Sequence, residues 1–297
     1  MSDQPELEFT GERFTPECVR EIRYEHLHRY AWAQRLVAGL DVLDAACGEG
    51  YGSSILAGSA SSVLGADLDQ QSIDHARRRY RAPNLGYRQA DCTALPLAEN
   101  SFDAVVSFET LEHLEAQQAL MTEFRRVLKP GGFLLLSSPD RKTYSDQTGF
   151  DNPHHVRELY REELEALLKA HFSHFRLFGQ KLMFNSAIWS LTEGAPATGP
   201  EAICESDQLL ESSRLPALEP LYFLVIAGDD PSHWPAVSEL SLFCDREESV
   251  YAHYNEEVRR HIQAGRMLIE QAKEIEALKQ RIAELEGTPG AGGESER

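Results

Sequence analysis

Apolar positions along the chain follow two rhythms, and the switches between them mark out the elements. From residue 21 to 37, EIRYEHLHRYAWAQRLV, the residues Ile22, Leu27, Tyr30, Ala31, Leu36 and Val37 recur near the helical period and predict a helix. A short apolar run then appears at 41–46, ending in glycines, and strands are predicted there and at 62–67, 85–90, 102–108 and 133–138. Short, largely apolar segments of that kind suit buried parallel strands. Helical patterning returns between them at 52–57, 70–80 and 115–127, and an amphipathic helix is predicted at 161–171. Two late strands are predicted at 175–179 and 221–227. The alternation predicts an α/β fold, a Rossmann-like, doubly wound and mostly parallel seven-stranded sheet.

The 180–220 insertion between the late strands contains GAPATGP from Gly194 to Pro200, a loop signal. An insertion of that length is a candidate lid. From residue 249 the chain is rich in helix formers. Leu268, Ile275, Leu278, Ile282 and Leu285 step as a heptad, with Ala264 and Gln271 at weaker positions. The glycine-rich end is predicted to be disordered. The expected organisation is an N-terminal lid and helix over 1–40 and the sheet domain over 41–245. Beyond it come a coiled-coil-like helix over 246–286 and a disordered tail over 287–297.

Composition narrows the function classes. The chain has 297 residues, 48 acidic against 29 basic, for a net charge of −19. A protein that displaces counterions from nucleic-acid phosphates needs the opposite balance, so no nucleic-acid partner is expected. No apolar run is long enough for membrane insertion. The five cysteines, Cys18, Cys47, Cys92, Cys204 and Cys244, are scattered and form no CxxC pair. That pattern predicts neither a disulfide framework nor structural zinc, and suits a cytoplasmic location.

Candidate chemistry begins where the first strand ends. Residues 44–52 read DAACGEGYG. A glycine-rich turn between a strand and a helix lets a ligand approach the backbone closely. The GxGxG spacing does not fit the GxGxxG nicotinamide fingerprint. Asp67 ends the second strand, where its two carboxylate oxygens can accept both hydroxyls of a ribose; taken alone it also fits a helix N-cap. Asp91 comes after the third strand, in QADCTALPL, then come NSFDAVVSF ending at Phe108 and LKPGG ending at Gly132.

This succession, over residues 40–180, resembles the class I S-adenosylmethionine-dependent methyltransferases. The resemblance implies S-adenosyl-L-methionine as cofactor. Its methionine part would lie on the loop of Asp44, Ala46, Cys47, Gly48 and Gly50. Asp67 would hold the ribose diol, Leu68 one adenine face, Asp91 and Cys92 the adenine edge, and Phe108 would lie beside the cofactor. Ala46 stands where the family usually has glycine, a change expected to cost no binding. Such an enzyme aligns nucleophile, methyl and sulfur and excludes water.

Residues just past strand four bear on the acceptor: Glu109, Glu112 and His113, with Glu112 and His113 expected to start the next helix. A plain reading has Glu112 at a helix end and His113 packed on the sheet. Further on, NPHHVRELYR carries His154, His155, Glu158 and Arg161. The combination resembles the small-RNA 2′-O-methyltransferases. That resemblance implies a divalent ion, Mg²⁺ or Mn²⁺, on Glu109, Glu112, His113 and His155, gripping a sugar diol. Without a metal, His155 or His154 is the candidate catalytic base.

The 10–14 motif TGERF, with Tyr24, His28, Arg29 and Tyr30, resembles methyltransferases associated with bacterial polysaccharide and sugar modification. In that reading Glu12, Arg13, Tyr24 and His28 belong to a helix that closes over the cofactor; a solvated helix face is the other reading of Tyr24, His28 and Arg29. The function expected is O-methylation of a sugar hydroxyl on a glycan, glycosylated metabolite or nucleotide sugar. The alternatives are a quinone, amine or polyketide-like acceptor, or a non-catalytic cofactor-binding scaffold. The 249–286 helix is expected to pair in a homodimer or with a glycosyltransferase partner.

Overall fold

A computed structural model describes residues 21–183, 202–206, 209–213 and 218–286. The 10–14 motif with Glu12 and Arg13, the 194–200 loop and the 287–297 tail lie outside the described residues. By contacts the chain divides into two compact units, 1–243 and 244–297.

In the first unit, helix α1 (Glu21–Leu36) leads into β1 (Asp41–Ala45), α2 (Tyr51–Ala57), β2 (Ser62–Asp67), α3 (Gln70–Arg79), β3 (Leu85–Gln89) and β4 (Phe102–Ser107). Then come α4 (Gln117–Val127), β5 (Leu128–Pro139), α5 (Arg161–His171) and β6 (His174–Gln180). Inside the 180–220 insertion, β7 (Ala202–Ser206) and β8 (Leu209–Ser213) form a separate antiparallel hairpin, which the loop signals did not predict. β9 (Tyr222–Gly228) closes the sheet in the order β3-β2-β1-β4-β5-β9-β6. β9 runs antiparallel to both neighbours; the other pairings are parallel.

Alternate residues of the central strands feed two cores. Leu43, Val105, Leu134, Leu136 and Val225 pack with Leu120, Met121 and Phe124 of α4 and with Leu164 and Leu168 of α5. Val42, Ala104, Val106, Leu135 and Ile226 pack with Ala33 of α1 and Leu56 of α2 on the other face. Both faces are therefore covered, as uninterrupted apolar strands demand. The order of β1 and β4 puts the switch point between them, and the loops after these strands lie at that crevice. The second unit carries α6 (Ser249–Glu286). No described helix is long and apolar enough to cross a membrane.

Candidate cofactor and acceptor site

The loop after β1 turns by three uses of left-handed backbone: Ala46 at φ 60°, Gly48 at 56° and Gly50 at 93°. At Gly50 a Cβ would lie 2.6 Å from Ala76 and 2.8 Å from Tyr87, so the position demands glycine. Ala46 carries a Cβ in the same region, at roughly 1–2 kcal/mol. The glycine usual in the resembling family would avoid that backbone cost, which is one of folding and not of cofactor binding. Glu49, buried, fixes the loop to α3 and its flank: its carboxylate accepts from Tyr80 Oη at 2.6 Å and pairs with His75 Nε2 at 3.0 Å.

Asp44 is fully buried and accepts hydrogen bonds from Ser53 Oγ (2.6 Å) and Tyr30 Oη (3.2 Å). Burial pushes its carboxyl up to about 7, against those two bonds and with help from Asp67. Tyr30 comes from α1 and meets Tyr51 and Phe108 edge-on, each at 5.1 Å between ring centroids. A Cβ on Gly52 would stand 2.1 Å from the Tyr30 ring. That glycine is what lets α1 reach the loop.

Asp67 accepts from the backbone N–H of Gly48 (2.8 Å) and of Asp69 (2.9 Å). It therefore ties the loop after β1 to the end of β2. It does not cap α3. That role belongs to Asp69, which accepts from the backbone of Gln71 and Ser72. Leu68 is 68% exposed beside it, an apolar face open to a flat ring. Asp91 is exposed and one of its oxygens is held by Thr93, whose hydrogen bonds lower its pKa. Cys92 and Phe108 are buried; burial pushes the Cys92 thiol up to about 12. Cys47, also buried, is pushed up for the same reason.

The acceptor candidates separate into two groups. Glu112 and His113 do not open α4; they sit in a single 3₁₀ turn (Leu111–His113) ahead of it. Glu112, His113 and His155 each present one ligand atom within 4.8 Å of the others. The Glu112 carboxylate is fully buried and neither oxygen accepts a hydrogen bond. Burial, then the charge of Glu109, pushes its pKa far upward. His113 Nδ1 faces the His154 carbonyl at 3.1 Å, and His155 Nδ1 faces Glu158 Oε1 at 2.5 Å. Both partners can only accept, so each Nδ1 carries a hydrogen and Nε2 is the nitrogen turned to the cluster. His113 Nε2 lies 3.8 Å from Glu112.

Glu109 is not in that cluster. Its Oε1 accepts from Ser137 Oγ at 2.6 Å and pairs with Arg29 at 3.2 Å. Its backbone is left-handed at φ 51°, a strained conformation for a side-chain-bearing residue. The four-ligand set expected from the sequence is thus three residues close together and a fourth committed to Arg29. His154 contributes its carbonyl, while its own side chain is exposed.

Arg29 is the residue that sequence reasoning placed least well. Expected on a solvated or lid-forming face, it is 1% exposed. Its Nε donates to Gln180 Oε1 at 2.7 Å, and its guanidinium lies 4.3 Å from the Tyr222 ring centroid. Burial works against its charge, but Glu109, Tyr222 and Glu25 outweigh that and hold its pKa up. Tyr24 and His28 point elsewhere: both rings pack on Phe243, and His28 Nε2 lies 2.9 Å from Ser241 Oγ. Around His155 there is also an aromatic wall. Tyr144 stands 5.3 Å from the His155 ring, 5.8 Å from Tyr222 and 6.0 Å from Phe150. It had no signal in the sequence, because its members come from separate segments.

Residues 43–136 match the family described as a methyltransferase domain. The matched stretch runs from β1 into β5 and includes the whole cofactor loop, Asp67, Asp91 and Glu112. The chain is 43% identical over 169 residues to a "Probable S-adenosylmethionine-dependent methyltransferase" of Mycolicibacterium smegmatis, 55% of this chain and 64% of that protein. It is 33% identical over 144 residues to a fatty-acid O-methyltransferase of the same organism, 48% of this chain and 50% of that one. The chain thus spans less than two thirds of the length of either relative. A solved Thermotoga maritima structure, titled as an S-adenosylmethionine-dependent methyltransferase and possible histamine N-methyltransferase, aligns at TM-score 0.49 and 16% identity. That alignment covers 70% of this chain and 90% of the other.

Proposed function

We propose that the protein is an S-adenosylmethionine-dependent O-methyltransferase whose acceptor is a sugar hydroxyl. The cofactor supplies a methyl group already activated on a sulfonium. The 44–50 loop, Asp67, Leu68, Asp91, Cys92 and Phe108 would hold it, in keeping with the methyltransferase relatives and the family match. The task left to the chain is to orient the acceptor and accept its proton.

The observation that carries the acceptor reading is the Glu112, His113 and His155 cluster. An amine presented neutral, or a fatty-acid carboxylate, is nucleophilic as it stands; an alcohol has to lose a proton as it attacks. His155, with Nδ1 held by Glu158, presents Nε2 as the proton acceptor. The Glu158 carboxylate fixes its tautomer and would stabilise the imidazolium that forms. His155 is half-buried within the cluster whereas His154 is exposed outside it, so His155 is the better base. Tyr144, Phe150 and Tyr222 give a ring-shaped acceptor flat faces to lie on, which suits a pyranose.

The cluster also fits a divalent cation, Mg²⁺ or Mn²⁺. A buried carboxylate with both oxygens unaccepted wants a positive partner. Two imidazoles whose Nδ1 atoms are fixed by a carboxylate and a carbonyl have the arrangement usual behind metal ligands. Glu112, His113 and His155 would hold the ion; it would then take the His155 Nε2 lone pair and, in place of that base, lower the pKa of a hydroxyl. Glu109 is outside this set.

The test has two arms. S-adenosylhomocysteine binding is measured by calorimetry, where Asp67→Ala should cost about 1.5–3 kcal/mol through lost charged hydrogen bonds. Labelled-methyl transfer is then screened over methyl glycosides, nucleotide sugars, a catechol quinol and a fatty acid. Transfer to sugar hydroxyls that is lost in His155→Ala supports the reading. Transfer to the fatty acid or quinol alone overturns the sugar acceptor; no cofactor binding overturns the whole. Mn²⁺ binding followed by spin resonance, present in the protein and absent in Glu112→Gln, decides the cation independently of turnover.

A further inference from the structure

Helix α6 is 38 residues long, and in the second unit it leaves an apolar stripe uncovered. Leu268, Ile275, Leu278, Ile282 and Leu285 are between 52% and 66% exposed. Single exposed apolar residues are ordinary; five on a three-four spacing are not. With Leu268, Ile275 and Ile282 at a, the d positions are Gln271, Leu278 and Leu285. Val258 and Ile262, upstream, step by four and fall out of this register, so the stripe begins beyond Gly265.

We propose that this stripe pairs with the same stripe of a second copy of the chain, as a parallel two-stranded coiled coil over residues 268–286. Two features of the sequence on the helix select this occupant. Isoleucine at a with leucine at d favours two parallel strands. The flanking charges are complementary to themselves. In a parallel pair each g position faces the e position five residues on in the other strand. Glu274 at g then meets Lys279, and Arg281 at g meets Glu286; both pairings join opposite signs. Gln271 gives one polar layer, the kind that fixes register.

Net charge points the same way. The whole chain carries −19, which keeps copies apart. The helix carries seven acidic and six basic side chains, a balance of −1, so it is a segment along which two copies meet without repulsion. Within one helix Lys279 bonds Glu276 at 2.8 Å and Arg281 bonds Glu284 at 2.9 Å. Exposed pairs of this kind are worth little, so redirecting them across a dimer costs little. Fewer than three heptads give a modest affinity, and the dimer population must depend on concentration.

Sedimentation equilibrium of the full chain over a range of about 1–100 µM tests this. The expected result is a concentration-dependent shift from the 33.4 kDa chain mass to twice that value. Ile275→Glu with Leu278→Glu should abolish the shift, while circular dichroism and S-adenosylhomocysteine affinity stay unchanged. Glu274→Lys should weaken the dimer about tenfold, and adding Lys279→Glu should restore it. Leu285→Cys, in a Cys244→Ser background, should form a disulfide between copies, located by peptide mass mapping. The mass of one chain at every concentration overturns the proposal, whether the stripe is then open or taken by another protein. A dimer that survives the double glutamate substitution, or lacks the Leu285→Cys link, overturns the coil or its parallel direction.

Discussion

At the scale of single residues, the loop after β1 and the strand end before it bury two acids, Asp44 and Glu49. Asp44 is enclosed by Tyr30 from α1, Ser53 from α2 and Asp67 at the end of β2. Its carboxyl titrates at about 7, against an ordinary value of 3.8. Folding therefore favours the protonated form. Between those two values the folded chain holds a proton that the unfolded chain has lost, so this group's contribution to stability falls as pH rises through the window and is level above it. In the proposed cofactor site binding would reverse the preference, since an ammonium group held on the loop would favour the ionised carboxylate. S-adenosylhomocysteine affinity is accordingly expected to rise about tenfold from pH 6 to pH 8, the change in the ionised fraction of a group at 7. Calorimetry at both values measures it, and Asp44→Asn should flatten the profile. An affinity independent of pH in the unmodified protein would show that Asp44 does not face the cofactor's charge.

At the scale of elements, α1 is held by its buried arginine as much as by its apolar face. Arg29 bridges α1 to Glu109 after β4 and to Gln180 at the end of β6, with Tyr222 of β9 against its plane. Gln180 in turn donates to the Glu25 carbonyl of α1 at 3.0 Å. Burial pushes Glu25 up to about 7. Removing one member of a buried pair strands the other, so Arg29→Ala should cost about 3–5 kcal/mol in urea unfolding. A loss below about 1 kcal/mol would mean that the pair contributes little to docking α1. The same network shows what the sequence could reveal and what it could not. Strands β1, β4 and β5 were legible because each carries an apolar run whose alternate residues serve two cores. The loop of Gly48 and Gly50 and the acids Asp67 and Asp91 were legible because strand ends place them. Arg29 was not, since an arginine on a helical pattern reads as solvated and its partner Gln180 lies 151 positions away. The antiparallel direction of β9 and the β7–β8 hairpin depend equally on distant pairing. Glu109 falls outside the Glu112 cluster for a related reason: spacing put it near Glu112, but Arg29 and Ser137 hold its Oε1.

At the scale of the whole molecule, the two units divide the work. The cores and every candidate site residue lie before residue 244, and Val250 is the buried residue of α6. An apolar sheet covered on both faces supplies its own stability, so the first unit has no need of the helix to fold. Cutting the chain after residue 248 should therefore leave S-adenosylhomocysteine affinity within about twofold of the full protein, because the loop, Asp67 and Asp91 all belong to the first unit. The same truncation should sediment as one chain at all concentrations if α6 carries the dimer. The two measurements are independent, and their combinations differ in meaning. Affinity retained with the dimer lost assigns cofactor handling to the first unit and pairing to α6. Affinity lost together with the dimer would show that the cofactor site depends on the second unit, and would move part of the binding machinery beyond the region that matches the methyltransferase domain.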